Sequence, residues 1–409
     1  MGGDNIIIPN IIVIYEGDKM KVKSLDIKGI GGIRELSLKF NDGLNVICGT
    51  NGIGKTTILN IIADRVSFNT NRIIKRNAQV TEGNYTVEIL IDGNIVSNTV
   101  KVVDFLPEEV SSINVGSAVD NAKHLLFFNT VRELEYTKLA AVPRDPERRN
   151  FEEAIMAITG VKANDIKGWF ENRQLFSREN GFNSVYKSNL ELSKNVFGLL
   201  DNNVRYFSLD STSLDIILET AKGNINFEYL SAGYKTCIYM ILGIIKEIEF
   251  RSHLKPICAQ DFDGVVLIDE IDIHLHPTWQ ARLVQAMKEI FPKAQFIVTT
   301  HSPSILQSLE KDEIIALAQD EKGNTFIKEL DLGEYGLQGW TLEEILQDVM
   351  GMPSTTSELY QSTIKEFDKA MDEENGVKII EQYEILKKML HPNNPLQKLL
   401  KLQVAEWEE

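Results

Sequence analysis

One octapeptide constrains the chain more than any other feature: Gly49-Thr50-Asn51-Gly52-Ile53-Gly54-Lys55-Thr56. It fits G-x-x-x-x-G-K-[ST] at every fixed position, between a short apolar run, Leu44-Asn45-Val46-Ile47-Cys48, and a stretch from Thr56 to Ala63 that reads as a buried helix. Glycines in such a loop let backbone N–H groups curl around the β- and γ-phosphates of a nucleotide without Cβ clashes. Lys55 adds a point charge, and the Thr56 hydroxyl can ligate Mg²⁺ at the positive end of the helix. Asn51, Gly52, Ile53, Gly54, Lys55, Thr56 and Thr57 are therefore the expected phosphate-binding residues. A strand, a glycine loop and a buried helix in that order demand an α/β fold.

A second half is visible downstream. Val265-Val266-Leu267-Ile268 is an apolar strand ending in Asp269-Glu270, so both carboxylates emerge at the C-terminal edge of a parallel sheet, where ligands of such sheets bind. Asp269 is expected, with Thr56, in the Mg²⁺ shell, and Glu270 as the base that takes a proton from the attacking water. Leu230-Ser231-Ala232-Gly233 opens a long helix, which offers a hydroxyl, free N–H groups and the helix dipole to a further phosphate. Thr299-Thr300-His301-Ser302-Pro303 ends the next strand and sets His301 beside the same edge. A competing reading of His274, His276, Asp269 and Asp272 as a transition-metal cluster asks alternate residues of one loop to close a tetrahedral site.

Together these residues resemble the ATP-binding-cassette ATPases. Leu230-Ser231-Ala232-Gly233 looks like their signature motif, and His301 like their switch histidine. The resemblance implies ATP and Mg²⁺ as cofactors. It implies catalytic roles for Glu270 and His301, and a nucleotide held between Lys55 and Thr56 of one subunit and Ser231 and Gly233 of another, hence a homodimer or higher homo-oligomer. Where transporter cassettes carry an Asp after this loop the chain has His276, and Asp269-Glu270 followed by His274-Leu275-His276-Pro277 is similar instead to the RecF, overcoming-lysogenization-defect, Septu and retron-associated branch. That branch implies an anti-phage ATPase that acts as a sensor or clamp for a partner nuclease, of HNH or Toprim type.

The 409 residues then divide into four. Residues 20–110 form a lobe with the phosphate loop and a β-rich subdomain, in which Asp92-Gly93 marks a hairpin. Residues 111–228 read as a mainly helical insertion, and 229–330 as the lobe with the signature segment, the acidic strand and His301. Residues 331–409 read as an acidic helical tail, from apolar positions such as Tyr360, Ile364, Phe367 and Met371, then Ile379, Tyr383, Leu386 and Leu390. The expected fold class is thus a P-loop cassette-type α/β core with a mixed sheet, a β-rich subdomain, a helical insertion and a helical C-terminal tail.

Charge matters for partners. The chain carries 43 Lys and Arg against 59 Asp and Glu, net −16, which opposes a polyanion if spread evenly. It is not: residues 331–409 hold 16 acidic and 7 basic residues, net −9, a surface suited to a basic partner protein. Nucleic acid stays open through Arg65, Arg72, Lys75 and Arg76, and through Arg144, Arg148 and Arg149. Three scattered cysteines, Cys48, Cys237 and Cys258, suit a reducing cytoplasm, and no apolar run reaches the roughly 18 residues a membrane span needs. No nuclease constellation is visible, so residues that cut nucleic acid are expected on another chain; the alternative readings are a RecF- or SMC-like DNA-repair clamp and an ATP-bound scaffold that does not hydrolyse.

Overall fold

The structure, a computed structural model, describes residues 19–69, 73–109, 114–130, 141–142, 144–146, 148–161, 165–252 and 254–407. They fall into two compact units, Met1–Gly351 and Met352–Glu409. The first begins with β1 (Met20–Ile30), β2 (Ile33–Lys39), β3 (Leu44–Cys48), α1 (Lys55–Asp64), the two-residue β4 (Phe68–Asn69), β5 (Gly83–Ile91) and β6 (Asn94–Val102). Strands β2-β1-β5-β6 form an antiparallel sheet. Its last turn is Asp92-Gly93, both with positive φ, as a two-residue hairpin of that sequence requires.

Next come β7 (Asn114–Val115), β8 (Leu125–Phe128), α2 (Asn150–Thr159), α3 (Ile166–Phe176), α4 (Ser184–Leu200), β9 (Val204–Leu209), β10 (Ile216–Thr220) and β11 (Gly223–Asn226). Among its described residues, the segment read as mainly helical thus holds three α-helices, a three-stranded antiparallel sheet β11-β10-β9, and strands β7 and β8. The unit continues with α5 (Ala232–Arg251), β12 (Val265–Ile268), α6 (Pro277–Ile290), β13 (Gln295–Thr299), the single turn α7 (Pro303–Leu306), β14 (Ile314–Gln319) and β15 (Thr325–Ile327).

A six-stranded mixed sheet, β15-β14-β3-β13-β12-β8, organises this unit. All its pairs are parallel except β14 with β15. Side chains alternate across a strand, and here each face has its own core. Val265 and Leu267 of β12 join the cluster built on α1 and the antiparallel sheet, while Val266 and Ile268 join the cluster built on α5 and the helical segment. Strands buried on both faces are apolar at every position, which is why Val265–Ile268 shows no alternation.

Helix α5 runs through the second core, and its four charged residues near the C-terminus are buried as well. Glu247 accepts from Arg148 Nη1 and Nη2 at 2.7 and 2.9 Å and from Arg251 Nε at 3.2 Å. Glu249 accepts from Arg173 Nε and Trp169 Nε1, both at 2.7 Å, and from Asn189 Nδ2 at 3.1 Å. This network ties α3, α4 and the approach to α2 onto α5. It also corrects the list of cations offered to nucleic acid. Arg148 is held by Glu247, Arg65 is buried against Ser117 Oγ at 2.6 Å, and Lys75 and Arg76 donate to backbone carbonyls of Glu109, Val103 and Val80. Arg144 and Arg149 are exposed, and Arg72 lies outside the described residues.

The second unit is a small bundle of three helices, Glu358–Asp372, Gly376–Met389 and Pro395–Val404. Phe367, Ile379, Tyr383, Leu386, Leu400 and Val404 form its core, with Tyr360, Ile364, Met371 and Leu390 packed against it. Residues 331–351, grouped with this tail on composition, belong to the first unit and give its core Leu337, Ile345, Val349 and Met350. Among the described residues no helix is long and apolar enough to cross a membrane.

Candidate active site

Parallel register brings the ends of β3, β12 and β13 to one edge of the central sheet: Thr299 pairs with Ile47, and Ile268 with Val298. Gly49 leaves β3 at φ 142°, and a Cβ there would sit 2.5 Å from the Leu317 carbonyl oxygen of β14. Gly54 caps α1 at φ 110°, where a Cβ would sit 2.7 Å from Ile33 Cδ1. Neither position admits a side chain, so these two glycines answer both conformation and space, whereas Gly52 answers conformation alone, at φ 77° with open space around it. Thr325 Oγ1 holds the loop from β15 by donating to the Ile53 carbonyl at 3.3 Å.

Lys55 is buried, and its Nζ donates to the carbonyls of Gly49 and Thr50, each at 3.0 Å. Burial lowers its pKa, against the pull of Cys48, Asp269 and Glu270. Thr56 Oγ1 donates to Asp269 Oδ2 at 2.9 Å. Thr299 Oγ1 donates to Asp269 Oδ1 at 2.6 Å and accepts the Glu270 N–H at 2.7 Å. Phe128 of β8 accepts the Asp269 N–H at 2.8 Å. Glu270 itself stands in the left-handed region at φ 47°, a costly conformation for a residue with a side chain.

His301 is half-buried at the end of β13. Burial, and next the Lys55 charge, lower its pKa, so the imidazole is neutral at physiological pH. Asp272 fixes its backbone, accepting from His301 N–H at 3.1 Å and from Thr300 Oγ1 at 2.6 Å. Lys55, Thr56, Asp269, Glu270 and His301 are thus brought together.

Ser231 and Gly233 make their contacts elsewhere. Ser231 is the exposed N-cap of α5, its Oγ accepting from Tyr234 N–H at 3.4 Å. Gly233 lies against the 274–276 loop, where a Cβ would come 3.4 Å from Trp279 Cδ1 and 3.6 Å from the His274 carbonyl. His276 is the N-cap of α6, accepting from Thr278 N–H at 3.4 Å, so the imidazole is engaged in starting a helix rather than in the acidic edge. Among the described residues no group of three or more His, Cys, Asp or Glu is arranged to hold a metal, and the transition-metal reading of His274, His276, Asp269 and Asp272 is set aside.

The residues present fit Mg²⁺ with a nucleotide. The hydroxyl of Thr56 and the carboxylate of Asp269 are hard oxygen donors already within hydrogen-bond distance of each other, next to a buried ammonium and an open glycine loop. Sequence reading offers Asp272 only as a metal ligand and gives no role to Thr299 or the Phe128 carbonyl. Thr299 at the end of β13 and Asp272 in the turn after β12 are in plain view, but nothing in their spacing says which atoms they hold.

The chain is similar to known proteins along most of its length. Residues 24–138 match the family described as "AAA domain", and residues 135–307 the family described as "AAA domain, putative AbiEii toxin, Type IV TA system". The fold is similar to a solved SMC head bound to the C-winged helix domain of ScpA, at 17% identity and a TM-score of 0.45, over 76% of this chain and 98% of that one. A retron Ec83 probable ATPase from Escherichia coli is 35% identical over 28% of this chain and 21% of its own length. Septu protein PtuA from Bacillus thuringiensis is 44% identical over 94% of this chain and 98% of its own length. With AAA-type ATPase domains and identity at that level along almost its whole length, the chain belongs to the Septu PtuA family.

Proposed function

We propose that the chain binds ATP with Mg²⁺ at the Gly49–Thr56 loop and hydrolyses it. The observation that carries this is the run of hydrogen bonds Thr56–Asp269–Thr299–Glu270, which joins the phosphate loop to the acidic strand end in one rigid set. Thr56 and Asp269 would hold the Mg²⁺, which supplies charge neutralisation on the phosphates when bound. Lys55 donates to the β- and γ-phosphate oxygens in place of its present carbonyl partners. Glu270, aimed by its left-handed backbone and by Thr299, takes the proton of the attacking water. Neutral His301 donates its ring N–H to the γ-phosphate without adding charge, and Asp272 holds its backbone there.

Ser231 and Gly233 open α5 at an exposed end, and their partners among the described residues are Tyr234 and the 274–276 loop. This supports a dimer in which they meet the nucleotide of a second copy, with the helix dipole directed at its phosphate. The kinship with Septu and retron proteins supports a role in anti-phage defence, as the sensor or clamp for a partner nuclease of HNH or Toprim type. Titration of ATP into the Lys55→Ala protein by calorimetry tests the phosphate site: binding should be lost, and retained affinity overturns the assignment.

A further inference from the structure

A cavity of about 350 Å³ opens at the C-terminal end of α5, on the edge of the central sheet where β8 and β12 begin. Since those strands run parallel, this is the edge opposite Asp269. Its described lining holds six Lys and Arg against four Asp and Glu, the reverse of the chain's balance of 43 to 59, although Lys19 pairs with Asp263, Lys293 with Asp261, and Arg148 and Arg251 with the buried Glu247 behind them. Part of that positive charge is rigidly built. Arg251 is buried, with Nη1 donating to the carbonyls of Ala122 and Leu125 at 3.0 and 2.7 Å and Nε to Glu247, while buried Nη2 has no acceptor among the described residues. Lys123 stands half-exposed beside it, and Phe262 and Ile248 supply an apolar floor.

We propose that this cavity is a second ligand site, for a small phosphorylated molecule with a flat apolar part, of the nucleoside monophosphate class. Its volume lies at the small end of ligand pockets, roughly 300 to 1,000 Å³, which suits one mononucleotide and not a strand. A fixed guanidinium with a spare donor is a suitable partner for a phosphate oxygen. The carbonyl end of α5 opposes an anion, so Arg251 and Lys123 must outweigh that dipole. Glu153, buried in the same lining, has its carboxyl pushed up in pKa by burial, against the pull of Arg251 and Arg148. Phe262 takes the ring, and Asn150 and Ser252 face its polar edge.

The test is calorimetry of AMP, CMP, GMP, UMP and inorganic phosphate against the full chain, as wild type, Lys55→Ala, Lys123→Glu and Arg251→Lys. At least one monophosphate should bind saturably to wild type and to Lys55→Ala alike, at least roughly 10-fold tighter than inorganic phosphate, and roughly 10-fold more weakly to Lys123→Glu and Arg251→Lys. Should Arg251→Lys fail to fold, Lys123→Glu at its half-exposed position carries the comparison. Absence of saturable binding at millimolar concentration overturns the proposal, as does binding indifferent to Lys123→Glu. Inorganic phosphate binding as tightly as any monophosphate, or affinity for single-stranded oligonucleotides that grows with length, overturns it too. The Lys55→Ala arm keeps the outcome separate from the phosphate-loop reading, since that variant removes ATP from one site and leaves the other.

Discussion

At the scale of residues, the site turns on one hydroxyl. Thr299 donates to Asp269 and accepts the Glu270 N–H, so it fixes a carboxylate and the backbone of its neighbour at once. Thr299→Val keeps the shape of the strand end and deletes both bonds. Steady-state turnover should fall by on the order of 10-fold or more, as for other partners that orient catalytic ligands, with ATP affinity nearly unchanged and Thr299→Ser restoring activity. Glu270→Gln removes the proposed base, and turnover should drop by ~10²-fold or more while ATP still binds; unchanged turnover takes Glu270 out of the mechanism. The phosphate loop, Asp269 and Glu270 were legible because glycine, lysine and paired carboxylates have few other uses at such spacing. Thr299 and Asp272 were not, because a threonine at a strand end or an aspartate in the turn after one serves many purposes, and only the fold shows which atoms it meets.

Elements differ in how openly they announce themselves. The Asp92-Gly93 hairpin and the run from Ala232 follow from turn chemistry and helical period. Leu125–Phe128 does not, since four apolar residues without alternation suit a helix as well as a strand, and the neighbouring polar periods pulled it into the helical segment. The charges near the end of α5 mislead in the opposite sense: Lys246, Glu247, Glu249 and Arg251 resemble a solvated helix end, yet all are buried in ion pairs. Helix α3 carries a further buried acid. Glu171 is fully buried, neither carboxylate oxygen has a hydrogen-bond partner among the described residues, and burial raises its pKa to about 7 despite nearby Lys167. A carboxyl whose pKa is higher folded than unfolded favours the fold below the unfolded value, near 4.5, and loses that advantage as pH climbs to about 7. Glu171→Gln should therefore melt higher than wild type at pH 8, by on the order of 2 kcal/mol, with the gap closing towards pH 5. Thermal melts at the two pH values decide it, and a gap independent of pH removes the buried charge as its cause.

For the whole molecule, composition alone blurred where the acidic excess lies. Residues 331–351 contain five acidic and no basic residues and end at Gly351, where a Cβ would lie 3.5 Å from Thr50 Cγ2 of the phosphate loop, so this stretch belongs to the ATPase unit. The Met352–Glu409 bundle has its own core and exposes Leu359, Val377, Leu399 and Leu402. If that bundle docks the partner, deleting residues 352–409 should leave ATP turnover within about 2-fold of the full chain and abolish co-purification of the partner nuclease; a truncated chain that still retains the partner moves the docking surface onto the first unit.

The order of strands in the central sheet sets a timetable for synthesis. β3, which ends in the phosphate loop, lies between β13 and β14. Its nearest sheet partners therefore follow it by some 250 residues, and long-range pairing of this kind is slow to close. The β1–β2 hairpin is complete by Lys39, yet at ribosomal speeds of about 5 to 20 residues per second, roughly 15 to 50 s pass before the nascent chain can complete the sheet around Gly49. Until then Leu44–Cys48 is an apolar strand with both edges open, a target for chaperones during translation.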